Sequence, residues 1–275
     1  MSATGMIEPV RQGRALIEEM ERTPAHQPHL WWLGHCGFAI KYHEIIFYID
    51  PLLASVEDRR LAAPLEPGEV SHADMILCSH AAPLHMHSET LLPMLRASKK
   101  AKLVLPKSAA AHAAELGIPY DRMTTTDADL RVEYFKKEMY ARIYAVPSAH
   151  PNLEYTPLGG YPFLGFLVRC GNVTIYHAGG CRSYETLENR LRPYNVTVAI
   201  LPVAGNDNFT VEEAAQLAQA SGVRWLVPMH VGTVGEDGDA SNRFLQYMLF
   251  HCQEQKFKIF ECGEGWAIPP AQLEI

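Results

Sequence analysis

The sequence predicts a layered α/β (α+β) fold, two sheet halves with helices on their outer sides. Strand-like runs recur along the whole 275-residue chain, helical patterns lie between them, and no composition shift, low-complexity tract or linker divides it. The reading is a short N-terminal helical extension over residues 1–28 followed by a single domain over residues 29–275.

In order, Met1 to Arg22 reads as a short amphipathic helix around Ala15, Leu16, Ile17 and Met20. Runs rich in Val, Ile, Tyr and Phe and bounded by Gly, Pro or Asn predict strands at 29–33, 38–42, 45–49, 73–78, 102–105, 130–135, 142–146, 165–169, 173–177, 196–203, 224–229 and 257–262. Cys170-Gly171-Asn172 separates two of them as a hairpin turn. Ser108 is placed to cap a helix from Ala109 to Leu116 closed by Gly117, and Ser241 to cap one from Phe244 to His251. Thr210 and Glu213 form a capping box ahead of Ala214, Ala215, Leu217 and Ala218, and Gly222 ends that helix. The segments Ala54 to Ser71 and Pro151 to Pro162 are loop-like and are placed to fold over a site.

Composition excludes several classes. A compact chain of this length buries roughly 70–75% of its unfolded surface, so neither disulfides nor a structural metal are needed for stability. A net charge of −7 argues against a nucleic-acid partner, which needs a basic face. The charge-free stretch Thr23 to Ile40 carries three histidines, two prolines and two glycines, which rules it out as a membrane span. The first residues have no apolar h-region, which points to a cytoplasmic protein. Six cysteines form no Cys-x-x-Cys pair and read as buried apolar residues.

Thirteen histidines stand out. No Gly-x-Gly-x-x-Gly, phosphate-loop or Gly-x-Ser-x-Gly signature is present. Four segments instead place a histidine at or just after the end of an apolar strand: Met75 to His80, Ile143 to His150, Val173 to His177 and Leu226 to His230. Repetition at equivalent places points to a shared centre, and neutral imidazole is a ligand for zinc, iron and manganese.

Trp31-Trp-Leu-Gly-His-Cys-Gly-Phe-Ala-Ile40, Phe47-Tyr-Ile-Asp-Pro51, Asp74-Met-Ile-Leu-Cys-Ser-His80, Pro147-Ser-Ala-His150, Tyr176-His-Ala-Gly179 and Val227-Pro-Met-His230 follow one another in an order that resembles metallo-β-lactamase-fold hydrolases. Within them the chain is most similar to the branch of L-ascorbate-6-phosphate lactonase. The resemblance, from about His29 to Pro270, implies an αββα sandwich of two mixed sheets with a metal site at one edge between them. The family's His-x-His-x-Asp-His motif falls on His80 to His85, so His80 and His85 match, while Ala82 and Leu84 replace a histidine and an aspartate. His150 and His230 match later ligands, and the bridging aspartate falls on Gly180.

The expected metal ligands are therefore His80, His85, His150 and His230. Two ions about 3.5–4 Å apart need bridging anions to offset their repulsion, so the expectation is at most one divalent ion, zinc, manganese or iron. His35, His87, His177 and Cys181 stand as substitutes for the lost ligands. Asp50 is expected to anchor a loop or a histidine rather than bind metal, and Asp207, Asn208, Arg182 and Lys107 are weaker candidates at the site. Catalytic and substrate-binding residues beyond these are not assigned. The expected function is a metal-dependent hydrolase, lactonase-like or phosphoester-directed, in which a metal-bound hydroxide attacks a small anionic substrate. The alternative is a non-catalytic descendant without metal that binds a small molecule or regulates. Apolar surface on the N-terminal helix leaves packing on its own fold or a homo-oligomer as outcomes.

Overall fold

The computed structural model describes residues 6–234 and 239–270; residues 1–5 of the predicted extension and 271–275 of the predicted domain lie outside the described residues. The order is α1 (Gly13–Arg22), β1 (His29–Trp32), β2 (Phe38–Tyr42), β3 (Ile45–Ile49), β4 (Met75–Leu77), α2 (Ser88–Ala97), β5 (Lys102–Pro106), α3 (Ala110–Glu115), β6 (Met123–Thr126), β7 (Arg131–Lys136) and β8 (Met139–Pro147). The second half runs β9 (Leu164–Cys170), β10 (Val173–His177), α4 (Leu187–Leu191), β11 (Val198–Pro202), α5 (Val211–Ala220), β12 (Trp225–Met229), α6 (Ala240–His251), β13 (Lys256–Phe257) and β14 (Gly265–Ala267). They make two seven-stranded mixed sheets, β14-β1-β2-β3-β4-β5-β6 and β13-β12-β11-β10-β9-β8-β7.

Alternation of side chains along the strands builds the layers. On β3, Ile45, Phe47 and Ile49 enter the core between the sheets, beside Phe38, Phe166 and Ile175, while Ile46 and Tyr48 face a second core outside the first sheet. That outer core takes the apolar face of α1, with Leu16, Ile17 and Met20 against Trp31 and Leu33, so the helix packs on its own fold. Each such fully buried side chain contributes about 1.5–3 kcal/mol relative to exposure. Lys41 Nζ fixes the end of α1 by donating to the carbonyls of Met20 and Glu21 at 2.7 and 2.8 Å.

Turn and cap chemistry explains most boundaries. Gly171, at φ +60, is the first central residue of the two-residue turn joining Cys170 to Val173. At α5 the capping box is reciprocal: Glu213 N–H donates to Thr210 Oγ1 at 3.2 Å and Thr210 N–H to Glu213 Oε2 at 2.9 Å. Thr210→Ala removes one half of it at a cost of about 1 kcal/mol. The expected result is a melting temperature lower by about 2–4 °C in a thermal scan, with Thr210→Ser close to wild type.

Three expectations are corrected, and two strands are added to those expected. Ser108 caps nothing; Lys107 to Ala109 form a 3-10 turn leading into α3. Ser241 lies inside α6, which starts at Ala240. In the predicted strand 257–262 the ladder with β12 covers only Lys256 and Phe257 and ends on the bond from Lys258 N–H to the Leu226 carbonyl, after which the chain turns, with Glu261 N–H on Glu264 Oε2. Strands β6 and β14 were not expected: Met-Thr-Thr-Thr lacks the apolar alternation of a buried strand, and the three residues of β14 pair with β1 at a sheet edge. Among the described residues, no helix is long and apolar enough to cross a membrane.

Candidate metal centre

The site lies where the loops leaving β3, β4, β8, β10 and β12 meet the β1–β2 turn, at one edge between the sheets. Register explains the meeting. Phe38 at the start of β2 pairs with Ile49 at the end of β3, Pro147 at the end of β8 with Leu164 at the start of β9, and β10, β11 and β12 run parallel.

Five histidine rings follow one another across this edge. His150 lies 5.4 Å from His80, His80 4.1 Å from His85, His85 5.6 Å from His35, and His35 4.2 Å from His230, all between ring centroids. Phe163 walls one end, 5.0 Å from His80 and 5.4 Å from His150. The structure thus brings together His80, His85, His150 and His230, with His35 inserted between His85 and His230.

Asp50, fully buried after β3, organises the centre. Its carboxylate accepts from Ser79 N–H at 2.7 Å, Ser79 Oγ–H at 2.6 Å and His85 Nδ1–H at 2.8 Å. Burial opposes its charge, but His85, His177 and His80 around it hold the carboxyl well below the usual range. Because the Ser79 hydroxyl hydrogen goes to Asp50, Ser79 Oγ accepts from His80 Nδ1 at 2.8 Å. His150 Nδ1 donates to the Asp207 carbonyl at 2.9 Å. In all three rings the proton is drawn to Nδ1, leaving the Nε2 lone pair for a ligand.

Two of these rings contain buried nitrogen atoms with no hydrogen-bond partner, His80 Nε2 and His35 Nε2. Burial, and secondarily the neighbouring histidines, push both residues' pKa well below 6.5, so the rings are neutral. An unpartnered buried imidazole nitrogen fits a metal ion; it is costly otherwise. The other donors fit poorly for two ions, since positions 82, 84 and 180 carry Ala, Leu and Gly. A Cβ on Gly180 would sit 3.1 Å from His80 Cε1 and 3.2 Å from His150 Nδ1, so this position does open on the centre.

Three of the residues that shape the site hold left-handed backbone: His35 at φ +51, Asp50 at φ +43 and His230 at φ +62. Such conformations cost roughly 1–3 kcal/mol each and persist where surrounding bonds impose them. Around His35 those bonds are its N–H to Thr233 Oγ1 at 2.6 Å and its carbonyl accepting from His230 N–H and Trp32 Nε1, each at 3.1 Å.

Among the proposed substitutes, His177 is corrected. It is fully buried on β10, its Nε2 donates to the Cys36 carbonyl at 2.8 Å and its Nδ1 accepts from Gly179 N–H at 3.2 Å, so neither nitrogen is available. Cys181 is corrected too: its thiol donates to the Arg182 carbonyl at 3.3 Å, and among the described residues its sulfur does not come within reach of two histidine ligand atoms. His87 precedes α2 with Nδ1 unpartnered and joins none of the ring contacts of the row. Asp207 reaches the site through its backbone only, Asn208 Oδ1 is buried without a partner, Arg182 N–H pairs with the Ala149 carbonyl and Lys107 is exposed in its 3-10 turn.

One residue was missed. The ligand atoms of His35, Cys36 and His85 all lie within 4.8 Å of one another, and among the described residues no other His, Cys, Asp or Glu trio does. Cys36 reads in sequence as a small packed residue of a glycine-flanked turn, and nothing local marks it.

Two facing mixed sheets with helices outside and polar loops gathered at one edge define the metallo-β-lactamase fold. The model of the β-lactamase superfamily domain matches residues 29–230, and the chain belongs to that superfamily. It is 27% identical over 207 residues to a UPF0173 metal-dependent hydrolase of Caldivirga maquilingensis, covering 74% of this chain and 82% of the relative. It is 29% identical over 204 residues to a UPF0173 metal-dependent hydrolase of Pyrococcus horikoshii, covering 74% and 84%. Among solved structures, the fold is shared with an isothiocyanate hydrolase from Delia radicum gut bacteria, with a TM-score of 0.70, 18% identity and coverage of 88% and 100%. It is also shared with the metallo hydrolase Igni18 of Ignicoccus hospitalis, with a TM-score of 0.63, 17% identity and coverage of 87% and 97%.

Proposed function

We propose that this protein is a metal-dependent hydrolase working with one divalent ion, zinc, manganese or iron, bound along the histidine row that runs from His150 through His80, His85 and His35 to His230. The observation that carries the reading is the tautomer pattern: Ser79, Asp50 and the Asp207 carbonyl each hold an Nδ1 proton, which turns the Nε2 lone pairs of His80, His85 and His150 towards a ligand. The metal-dependent hydrolases among its relatives support it.

When bound, the ion supplies a Lewis acid and lowers the pKa of water. The chain's own groups supply the rest. Asp50 orients His85 and strengthens it as a donor, while Ser79 does the same for His80. Phe163 excludes water beside His80 and His150. Neutral histidines leave the ion's positive charge largely uncompensated, which suits a small anionic lactone or phosphoester.

The second reading, a non-catalytic small-molecule-binding or regulatory descendant, is favoured by Ala82, Leu84 and Gly180. A panel of lactones and phosphoesters separates the two. The expected result is hydrolysis of at least one class, lost on chelation, restored by added metal and absent in His85→Ala. A rate that survives both chelator and His85→Ala, or no hydrolysis of either class with metal bound, would overturn the enzymatic reading.

A further inference from the structure

The resemblance places a carboxylate at position 84, beside His85, and a bridging one at position 180, where this chain has Leu84 and Gly180. At the His85 end of the row the β1–β2 turn brings two further donors, His35 and Cys36, into reach. We infer that the ion is held by Cys36 as a thiolate together with His35 and His85, a site that replaces the missing carboxylates with sulfur. The inference rests on the reading above that one ion binds along this row, and places it at the His85–His35 end, apart from His80 and His150.

One ligand atom from each of the three lies within 4.8 Å of the other two, whereas a tetrahedral zinc site holds donors about 3.3–3.6 Å apart, so binding an ion draws the three together by up to about 1.5 Å. His35 is 2% exposed and its Nε2 has no partner. His85 Nδ1 is committed to Asp50, which leaves Nε2 as its donor.

Consecutive side chains in extended backbone point to opposite sides. Here His35 and Cys36 both reach His85, and the break in alternation coincides with the left-handed φ of +51 at His35, held by the bond to Thr233. The strain therefore has a use: it turns two neighbours into one side of a metal site.

The chemistry also balances. The Cys36 S–H bond breaks as the sulfur–metal bond forms, the proton leaves to solvent, and the electron pair stays on sulfur. The site's charge falls by one, which is what a lost carboxylate would have contributed. One Cys and two His make three protein ligands, leaving a fourth position open, as catalytic zinc sites have. His80 and His150, outside the coordination set, are then left to face a substrate.

The test uses the full-length protein loaded with zinc and measured by X-ray absorption. The expected spectrum contains one sulfur scatterer at about 2.3 Å beside nitrogen or oxygen at about 2.0–2.1 Å. With cobalt in place of zinc, a thiolate-to-cobalt charge-transfer band is expected in the near ultraviolet, retained in Cys181→Ser and lost in Cys36→Ser. Cys36→Ser should also bind zinc at least about tenfold more weakly. Bound metal with nitrogen and oxygen scatterers only would overturn the Cys36 assignment while leaving the metal reading in place. A band that disappears in Cys181→Ser and persists in Cys36→Ser would overturn it as well. Failure to bind either metal would remove the metal reading itself. The absorption spectrum is taken on the unmodified chain, so a poorly folding variant does not affect it.

Discussion

Asp50→Ala is expected to lower the melting temperature of the metal-free protein by about 6–15 °C and to abolish metal uptake. The carboxylate accepts three hydrogen bonds in a fully buried place, from Ser79 N–H, Ser79 Oγ–H and His85 Nδ1–H. Its removal leaves those donors without a partner, at a cost of about 3–5 kcal/mol. Alanine is also less tolerant than aspartate of the φ of +43 at this position. Asp50→Asn isolates the second effect. Asparagine keeps the shape but has one acceptor oxygen and no charge, so one of the three donors meets the amide NH2 and the hold on the His85 tautomer weakens. The expected result is a near-native far-ultraviolet circular dichroism spectrum with metal affinity reduced about 10–100-fold. Undiminished affinity in Asp50→Asn would show that the Asp50 charge is not needed to prepare His85 for the metal.

Supplying the donors that the resemblance places at 82, 84 and 180 is expected to have the second large effect. In Ala82→His, Leu84→Asp, Gly180→Asp combined, bound metal should rise from about one to about two ions per chain, because a bridging carboxylate makes close metal pairs tolerable. The backbone around Gly180 says where that carboxylate belongs. Gly179 has φ +65, and a Cβ there would lie 2.6 Å from Ser79 Cβ, so only glycine fits. At Gly180 the nearest atoms are His80 and His150 at 3.1–3.3 Å, and side-chain rings can give by the few tenths of an ångström required. Elemental analysis of the dialysed triple variant checks this. An unchanged metal content would mean that the 80–85 turn does not direct positions 82 and 84 into the centre.

What was legible in the sequence follows from how local each signal is. Strands such as Ile45 to Ile49 and Val173 to His177 announce themselves through β-branched and aromatic residues, and Thr210 with Glu213 marks a helix start within four residues. His80, His150 and His230 could be read because each follows its own apolar strand. The rest depends on contacts far apart in the chain. His177 has the same strand-end signature, yet its ring is committed to the Cys36 carbonyl 141 residues earlier. Cys36 looks like any small core residue, and the turn that brings it to His85 is held in part by bonds from far along the chain, His35 N–H to Thr233 Oγ1 and His230 N–H to the His35 carbonyl. Strand β14 adds three residues to a sheet whose edge was set by β1, a pairing no local pattern of Gly-Trp-Ala contains.

The histidine row, with Leu84 and Gly180 where the resemblance places carboxylates, is proposed to bind a single ion. The most direct measurement is the metal content of the wild-type chain after exposure to excess zinc, manganese or iron and removal of unbound metal. About one ion per chain is expected for at least one of these metals, falling to background in His85→Ala. No bound ion with any of the three, or two ions per chain, would contradict single-ion binding.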